Sequence, residues 1–407
     1  MLNVLLSAFV CEPNKGSESG NGWNWAYYLS KKGFEVHVIT TSLGKTAIEK
    51  ILIEKNITNL HFHYVDHTPF WGKAFYWNVA TMYTAYLLWQ RKIYAVAKQL
   101  HEVKPFDIVQ HVTWGSVKMG SMLYKLKNIR FIYGPVGGGH NAPPQFKKYF
   151  FNEWKREWLR TKVGSFFSAV NPLTRPTLAN AYVVLATNSE TVDYALANGA
   201  KNVHLFMDSS LPIDFIPLAL PQKNNNLTQF LWVGGMWAFK GIALVLEAFA
   251  LVPRDVRKQL HLKIVGDGPF MSQLRELVVK YNVEDIVTIC GALPYDTVKQ
   301  EYNNADVFIY CSLRDSCPAQ YLEALAYGLP IITLNMNGGK NFLPHNTSIL
   351  ASVDEPVDTL KEISEAIIKL TTSKHIRQEM SKNAYDFAKQ NTWDIKIDYI
   401  VNKFYYN

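Results

Sequence analysis

The sequence predicts an α/β protein of two similar domains, each built on a parallel, doubly wound sheet. Short apolar runs rich in Val, Ile and Leu alternate with helical patterns along nearly the whole chain. The alternation restarts after a stretch marked by Pro212, Pro217, Pro221 and the run Asn224, Asn225, Asn226, which reads as a linker. The length of 407 residues suits two domains rather than one.

The first domain is assigned to residues 1–215. NVLLSAFV reads as its first strand, and Gly22–Ser30 begins its first helix. FEVHVITT, LHFHYVD, FDIVQHV, RFIYGPV and AYVVLATN read as further strands, because each is a brief apolar run bounded by turn signals. Phe75–Leu100 reads as a long helix crowded with aromatics. The second domain is assigned to residues 216–385, with strands at QFLWVGG, LHLKIVGDGP, VTICG, DVFIYCS and LPIITL. Helices fill Gly241–Leu251 and Met271–Tyr281. The segment from Ser373 reads as two helices, the last of them over residues 386–407.

The opening MLNVLLSAFVC lacks the charged start and long apolar run of a signal peptide, and reads as a buried strand. No run of about 18 uncharged apolar residues occurs, so no membrane span is expected. The cysteines at 11, 290, 311 and 317 form no C-x-x-C pair. Neither a zinc site nor a disulfide framework is therefore indicated, and a reducing cytoplasm is the simplest setting.

The net charge of +8 is uneven: residues 1–220 carry +9 and residues 221–407 carry −1. An anionic partner of the first half follows, either a membrane surface or a nucleic acid. The segment 146–170 interleaves Lys147, Lys148, Lys155, Arg156, Arg160 and Lys162 with Tyr149, Phe150, Phe151, Trp154, Trp158, Phe166 and Phe167. This is the signature of a helix lying on an anionic membrane. The alternative is a packed surface helix with snorkelling basic side chains. Nucleic acid is not expected, since the basic segment lies outside any recognised module. His61, His63 and His67 alternate on an edge strand, which accounts for them without a metal; neither a metal nor a cofactor is expected.

The richest stretch is RDSCPAQYLEALAYGLPII, Arg314–Ile332, with seven residues between Asp315 and Glu323. Ser316, Cys317 and Pro318 make a tight turn, and the helix-forming YLEALAY carries the second carboxylate. A turn at a helix N-terminus offers N–H groups and a positive dipole end to an anion. Carboxylates beside it suit sugar and ribose hydroxyls, so the pattern points to a nucleotide sugar. Lys240 follows the strand QFLWVGG and can neutralise a diphosphate, while Gly241 admits close backbone approach. Gly291 follows VTIC at another strand end, where a nucleobase can meet backbone groups. In the first domain Gly16 and Gly138 lie in glycine loops after strands, suited to phosphate or sugar. His111 ends a strand, and its neutral imidazole can contact a sugar hydroxyl or a backbone carbonyl; a satisfied structural histidine is the other reading.

Together these residues resemble the family-4 glycosyltransferases, retaining enzymes of the GT-B fold, of bacterial surface-polysaccharide type. The resemblance runs through CEPNKGSESGNGWNWA, YGPVGGGHNAPP, FLWVGGMWAFKG, LKIVGDGP and the carboxylate segment. NTWDIKIDYIVNKFYY looks like the terminal helix that crosses back onto the first domain. The resemblance implies two Rossmann-like domains facing a central cleft. It implies that Lys240 binds the donor diphosphate, that Asp315 contacts the donor sugar, and that Glu323 binds the ribose hydroxyls. Backbone N–H groups around Ser316, Cys317 and Ala319 would hold phosphate oxygens. Gly16 and Gly138 would face the donor, and His111 would match the cleft histidine. Gly235 stands in the donor site where many members have arginine, so one cation is missing there. Asp315 replaces a longer glutamate, and Cys317–Pro318 replaces glycines.

The activity implied is metal-independent, retaining hexosyl transfer from a UDP- or GDP-sugar to a hydroxyl. The acceptor would be a polysaccharide, such as lipopolysaccharide or capsule, or a lipid-linked oligosaccharide. The setting would be the inner face of the plasma membrane. Another GT-B enzyme, such as a nucleotide-sugar epimerase, or a non-catalytic sugar-nucleotide-binding subunit are the alternatives.

Overall fold

The structure is a computed structural model that describes residues 2–223 and 226–406. Asn224 and Asn225 of the expected linker lie outside the described residues. Contacts divide the chain into two units. The first comprises the described residues up to His140, Trp158–Ser209 and those from Trp393 onward; the second comprises Asn141–Glu157 and Ser210–Thr392.

The first unit holds β1 (Asn3–Ala8), β2 (Glu35–Thr40), β3 (Leu60–Tyr64), β4 (Ile108–Thr113), β5 (Arg130–Val136), β6 (Val183–Ala186) and β7 (Val203–Leu205). They pair in the order β3-β2-β1-β4-β5-β6-β7, all parallel. Side chains alternate across the strands, so each sheet face has its own core. Val4 and Leu6 pack with Trp23, Trp25 and Leu29 of the helix Ser17–Lys31. Leu5 and Val109 pack with Tyr86, Trp89 and Ile93 of the helix Val79–Val103.

The terminal helix Trp393–Ile400 continues into a π-helical turn, Val401–Tyr405, within the first unit. Lys396 anchors it by donating to the carbonyls of Met207 and Ser209, with its ammonium 4.7 Å from the Phe206 ring centre. Arg130 donates to the carbonyls of Phe404 and Tyr405 at 2.9 and 2.8 Å.

The second unit holds β8 (Thr228–Val233), β9 (Leu260–Val265), β10 (Val287–Gly291), β11 (Val307–Ile309), β12 (Ile331–Leu334) and β13 (Ser348–Ala351). Their order is β10-β9-β8-β11-β12-β13, again parallel. The helix Ile242–Leu251 is almost wholly buried against this sheet, as its continuous apolar run requires.

Several elements differ from the sequence reading. β7 and β13 were not anticipated; at three and four residues on sheet edges, they bury too little to leave an apolar run. The long aromatic helix starts at Val79 rather than Phe75 and runs to Val103, and a separate short helix, Pro69–Ala74, precedes it. Asn78 starts the long helix by accepting from Thr81 N at 3.0 Å while Thr81 Oγ1 accepts from Asn78 N at 3.2 Å. The basic-aromatic segment is broken at Phe151, whose φ of 50° kinks the turn-like stretch Pro144–Glu153 just before the helix Trp154–Val170. The first helix begins at Ser17, a turn earlier than expected. Residues 141–157 group with the second unit, where Lys148 pairs with Glu247 at 3.1 Å and Gln145 donates to Val353 O at 2.8 Å. Among the described residues, no helix is long and apolar enough to cross a membrane.

Candidate functional site

In the second sheet β8 lies between β9 and β11. The chain leaves β8 toward β9 on one side and later returns to β11 on the other, so the loops after β8 and β11 diverge. Ligands of doubly wound sheets bind at such a switch point, beyond the carboxyl ends of the strands.

The glycines here are dictated by backbone crowding. Gly241 has φ +73°, and a Cβ on it would stand 1.9 Å from the carbonyl oxygen of Cys311. Gly266 has φ +139°, and its Cβ would stand 1.8 Å from Gly234 O. Only glycine lets these loops approach so closely. The loops are also tied directly: Leu313 N and Ser312 Oγ both donate to Phe239 O, at 2.9 and 3.1 Å.

Lys240, from the loop after β8, reaches Asp315, from the loop after β11. Its Nζ lies 2.7 Å from both carboxylate oxygens. Tyr310 donates its phenol to Asp315 Oδ2 at 3.0 Å. The lysine and aspartate side chains keep 18% and 20% of their surface exposed, so the pair is shielded yet reachable. Burial first, and then the Asp315 charge, hold the Tyr310 phenol well above its ordinary range, so it remains a donor at neutral pH. Arg314 beside them pairs with Glu157 at 2.5 Å and lies 3.9 Å from the Phe239 ring centre.

Pro318 precedes the helix Ala319–Ala326, whose first-turn amides have no acceptor within the helix. The turn before it is pinned from the side: Gly338 N donates to Ser316 O at 2.6 Å, and a Cβ at 338 would stand 2.6 Å from Cys317 Cβ. Glu323, half-buried on this helix, accepts from Tyr302 at 2.9 Å. Desolvation raises its carboxyl above the usual range, and the Tyr302 hydrogen bond and the Lys299 charge oppose this. Each carboxylate is thus held by its own tyrosine. Their rings flank Phe308, at 5.9 Å from Tyr302 and 6.0 Å from Tyr310.

Gly235 lies in the same loop as Lys240, and Gly291 ends β10 with φ +72° and open space where a Cβ would be. The remaining three candidates belong to the first unit. Gly16 caps the helix Ser17–Lys31, with nothing within 4 Å of a built Cβ. Gly138 has φ +91° and a built Cβ 3.1 Å from Ser116 Oγ. His111 lies inside β4 and is fully buried, with Nε2 3.3 Å from Trp114 O and no partner at Nδ1. Burial pulls its imidazole down to about 4, so it is neutral at physiological pH.

Tyr310, Tyr302 and the Arg314–Glu157 pair were not anticipated. Tyr310 directly follows β11, a position that could have flagged it. The Tyr302–Glu323 and Arg314–Glu157 partnerships depend on tertiary contacts. Among the histidines, the structure groups His61 and His63 with His37 and Glu35, while His67 packs with Phe9 and Phe75.

Residues 220–387 match the model of the glycosyl transferases group 1 family. An uncharacterized glycosyltransferase of Methanocaldococcus jannaschii is 23% identical over 174 residues, 42% of this chain and 43% of that protein. A putative colanic acid biosynthesis glycosyltransferase, WcaL of Escherichia coli, is 26% identical over 163 residues, 37% of this chain and 39% of that protein. The alignment thus spans less than half the length of these curated relatives. Similarity of fold extends much further. Sucrose-phosphate synthase from Thermosynechococcus elongatus superposes with a TM-score of 0.67 at 17% identity, over 98% of this chain and 97% of its own. Anabaena HepE, solved in complex with UDP and glucose, gives 0.62 at 14% identity, over 99% and 100%. The fold class is therefore α/β of the GT-B type, with two Rossmann-like doubly wound domains.

Proposed function

We propose that the chain is a retaining glycosyltransferase that moves a sugar from a nucleoside-diphosphate sugar to a hydroxyl of a polysaccharide or lipid-linked oligosaccharide. The observation that carries this reading is the Lys240–Asp315–Tyr310 cluster at the switch point of the domain matched by the group 1 family. The UDP and glucose bound to HepE support a nucleotide-sugar donor, and the colanic acid relative supports a polysaccharide acceptor.

In this reading Lys240 and the amides opening Ala319–Ala326 hold the diphosphate, and Glu323 accepts from the ribose hydroxyls. Asp315 fixes the ammonium and faces the sugar. Arg314 supplies a second positive charge where Gly235 supplies none. The bond from the anomeric carbon to the diphosphate breaks, and the acceptor oxygen bonds the same face. The acceptor proton passes to the departing phosphate oxygen. Charge growing on the diphosphate is met by preorganised cations and amide dipoles, which in this reading replace a metal.

Incubation with UDP- and GDP-sugars and saccharide acceptors tests this, with the anomeric configuration read by NMR. Transfer with retention is expected. An altered sugar formed without acceptor would replace the reading with an epimerase, and donor binding without turnover would make the chain a binding subunit.

The helix Trp154–Val170 further supports peripheral binding to an anionic membrane. Lys155, Leu159, Lys162, Phe166 and Val170 recur at helical spacing and are exposed, Phe166 by 70%. Sedimentation with vesicles containing phosphatidylglycerol should be lost in Leu159→Asp/Phe166→Asp. Equal sedimentation of that variant would overturn the membrane contact.

A further inference from the structure

We propose that Glu35, His37, His61 and His63 form a site for a divalent transition-metal ion at the edge of the first unit's sheet. The strand register puts the four side chains on one face. In the parallel pair β2–β3, His37 lies opposite His61 and Ile39 opposite His63, while Glu35 lies two residues before His37. Side chains two residues apart share a face. The other face carries Val36, Val38, Leu60 and Phe62, which enter the core.

The donor atoms already converge. One ligand atom each from Glu35, His37 and His61 lie within 4.8 Å of one another. His63 Nε2 is 3.0 Å from His37 Nδ1, and His61 Nε2 is 2.8 Å from Glu35 Oε1. Four donors held about 2.0–2.1 Å from a tetrahedral ion stand roughly 3.4 Å apart. Glu35, His37 and His61 reach that spacing by side-chain rotation, whereas His63 lies outside their group and must turn from His37 Nδ1 toward the ion to supply the fourth bond. An ion would exchange the two existing hydrogen bonds for four ligand bonds. Three imidazoles and one carboxylate suit zinc, copper or nickel, and not calcium or magnesium, which prefer oxygen.

The surroundings allow such a site. Phe106 lies edge-on to His37 at 5.4 Å and walls it on one side. Lys104 Nζ, 3.8 Å from Glu35, competes for the carboxylate, but its side chain is 60% exposed and free to swing away. β3 is the outermost strand, joined to the sheet only through β2. An ion bridging the two strands would fasten this edge and add its binding free energy to folding. The role is structural and separate from the donor site, which lies in the second unit.

The test is zinc titration of chelator-treated full-length protein, followed by calorimetry and thermal melting. One Zn2+ per chain, bound with micromolar affinity, and a higher Tm are expected. Both should be lost in His37→Gln/His61→Gln and kept in His67→Gln. Should the double variant fold poorly, Co2+ bound to the native protein gives a second readout, the intense visible bands of a tetrahedral site. Absence of saturable zinc uptake, uptake unchanged in a folded double variant, or octahedral cobalt spectra would each overturn the proposal.

Discussion

In the first unit, the loop after β1 meets the end of β4 and the loop beyond it through a threonine hydroxyl, aromatic rings and a buried carboxyl. Thr113 Oγ1 donates to Val10 O at 3.0 Å and accepts from Val10 N at 3.2 Å. Phe9 sits edge-on to Trp114 at 4.9 Å, and burial raises the Glu18 carboxyl that accepts from Gly115 N at 2.6 Å. In the second unit, the corresponding loops after β8 and β11 meet through the Lys240–Asp315 ion pair, which stays partly open to solvent. The same topological point is thus sealed by the protein's own side chains in one unit and left charged in the other. A sealed crossing serves stability. A charged one keeps groups whose partners a ligand can replace.

The largest expected effect breaks the charged crossing. Lys240→Ala should lower transfer about a hundredfold or more while changing the melting temperature little. Activity assays beside thermal melts would show this, and undiminished transfer would remove Lys240 from the site. Thr113→Val is the matching cut in the sealed crossing. It should cost about 1–3 kcal/mol of stability by denaturant unfolding and leave UDP affinity unchanged. Loss of UDP affinity in a folded Thr113→Val protein would erase the contrast.

Gly241→Ala should destabilise by about 3 kcal/mol or more, because alanine must hold a positive φ and push the Cys311 carbonyl aside. Glu323→Gln should weaken donor binding about tenfold in calorimetry, since the amide accepts the ribose hydroxyls less strongly. A 2′,3′-dideoxyribose donor should then bind both proteins alike.

A further effect concerns acid stability. His111 is held at about 4 in the folded chain against an ordinary 6.5, so the unfolded chain binds more protons between those values. Its contribution is complete above about pH 6.5 and falls as the pH drops toward 4, by about 3 kcal/mol in all. His111→Gln should flatten that part of the stability profile, and an unchanged slope would mean that the imidazole takes up its proton without unfolding.

The alternation of apolar runs made most of the fold legible, because parallel strands buried on both faces must be apolar throughout. β7 and β13 escaped because edge strands of three or four residues need no such run. Lys240, Asp315 and Glu323 stood out by residue type and spacing along a strand, a turn and a helix. Their partners did not. Tyr302 is 21 residues from Glu323, and Glu157 is 157 residues from Arg314; only folding brings such pairs together. The break at Phe151 was equally hidden, since a positive φ at phenylalanine has no local sequence signal. The edge-strand reading holds for His61 and His63 but not for His67, which lies beyond β3, while His37 joins the pair through strand register and not through sequence proximity.

In the proposed reaction, the crossing of β8 and β11 binds a nucleoside diphosphate through Lys240. Calorimetric titration of UDP and GDP into the native protein and into Lys240→Ala tests it most directly. One site per chain is predicted for at least one of the two nucleotides, with affinity lost by about tenfold or more in the variant. Equal affinity in both proteins, or binding of neither nucleotide to the native chain, would contradict it.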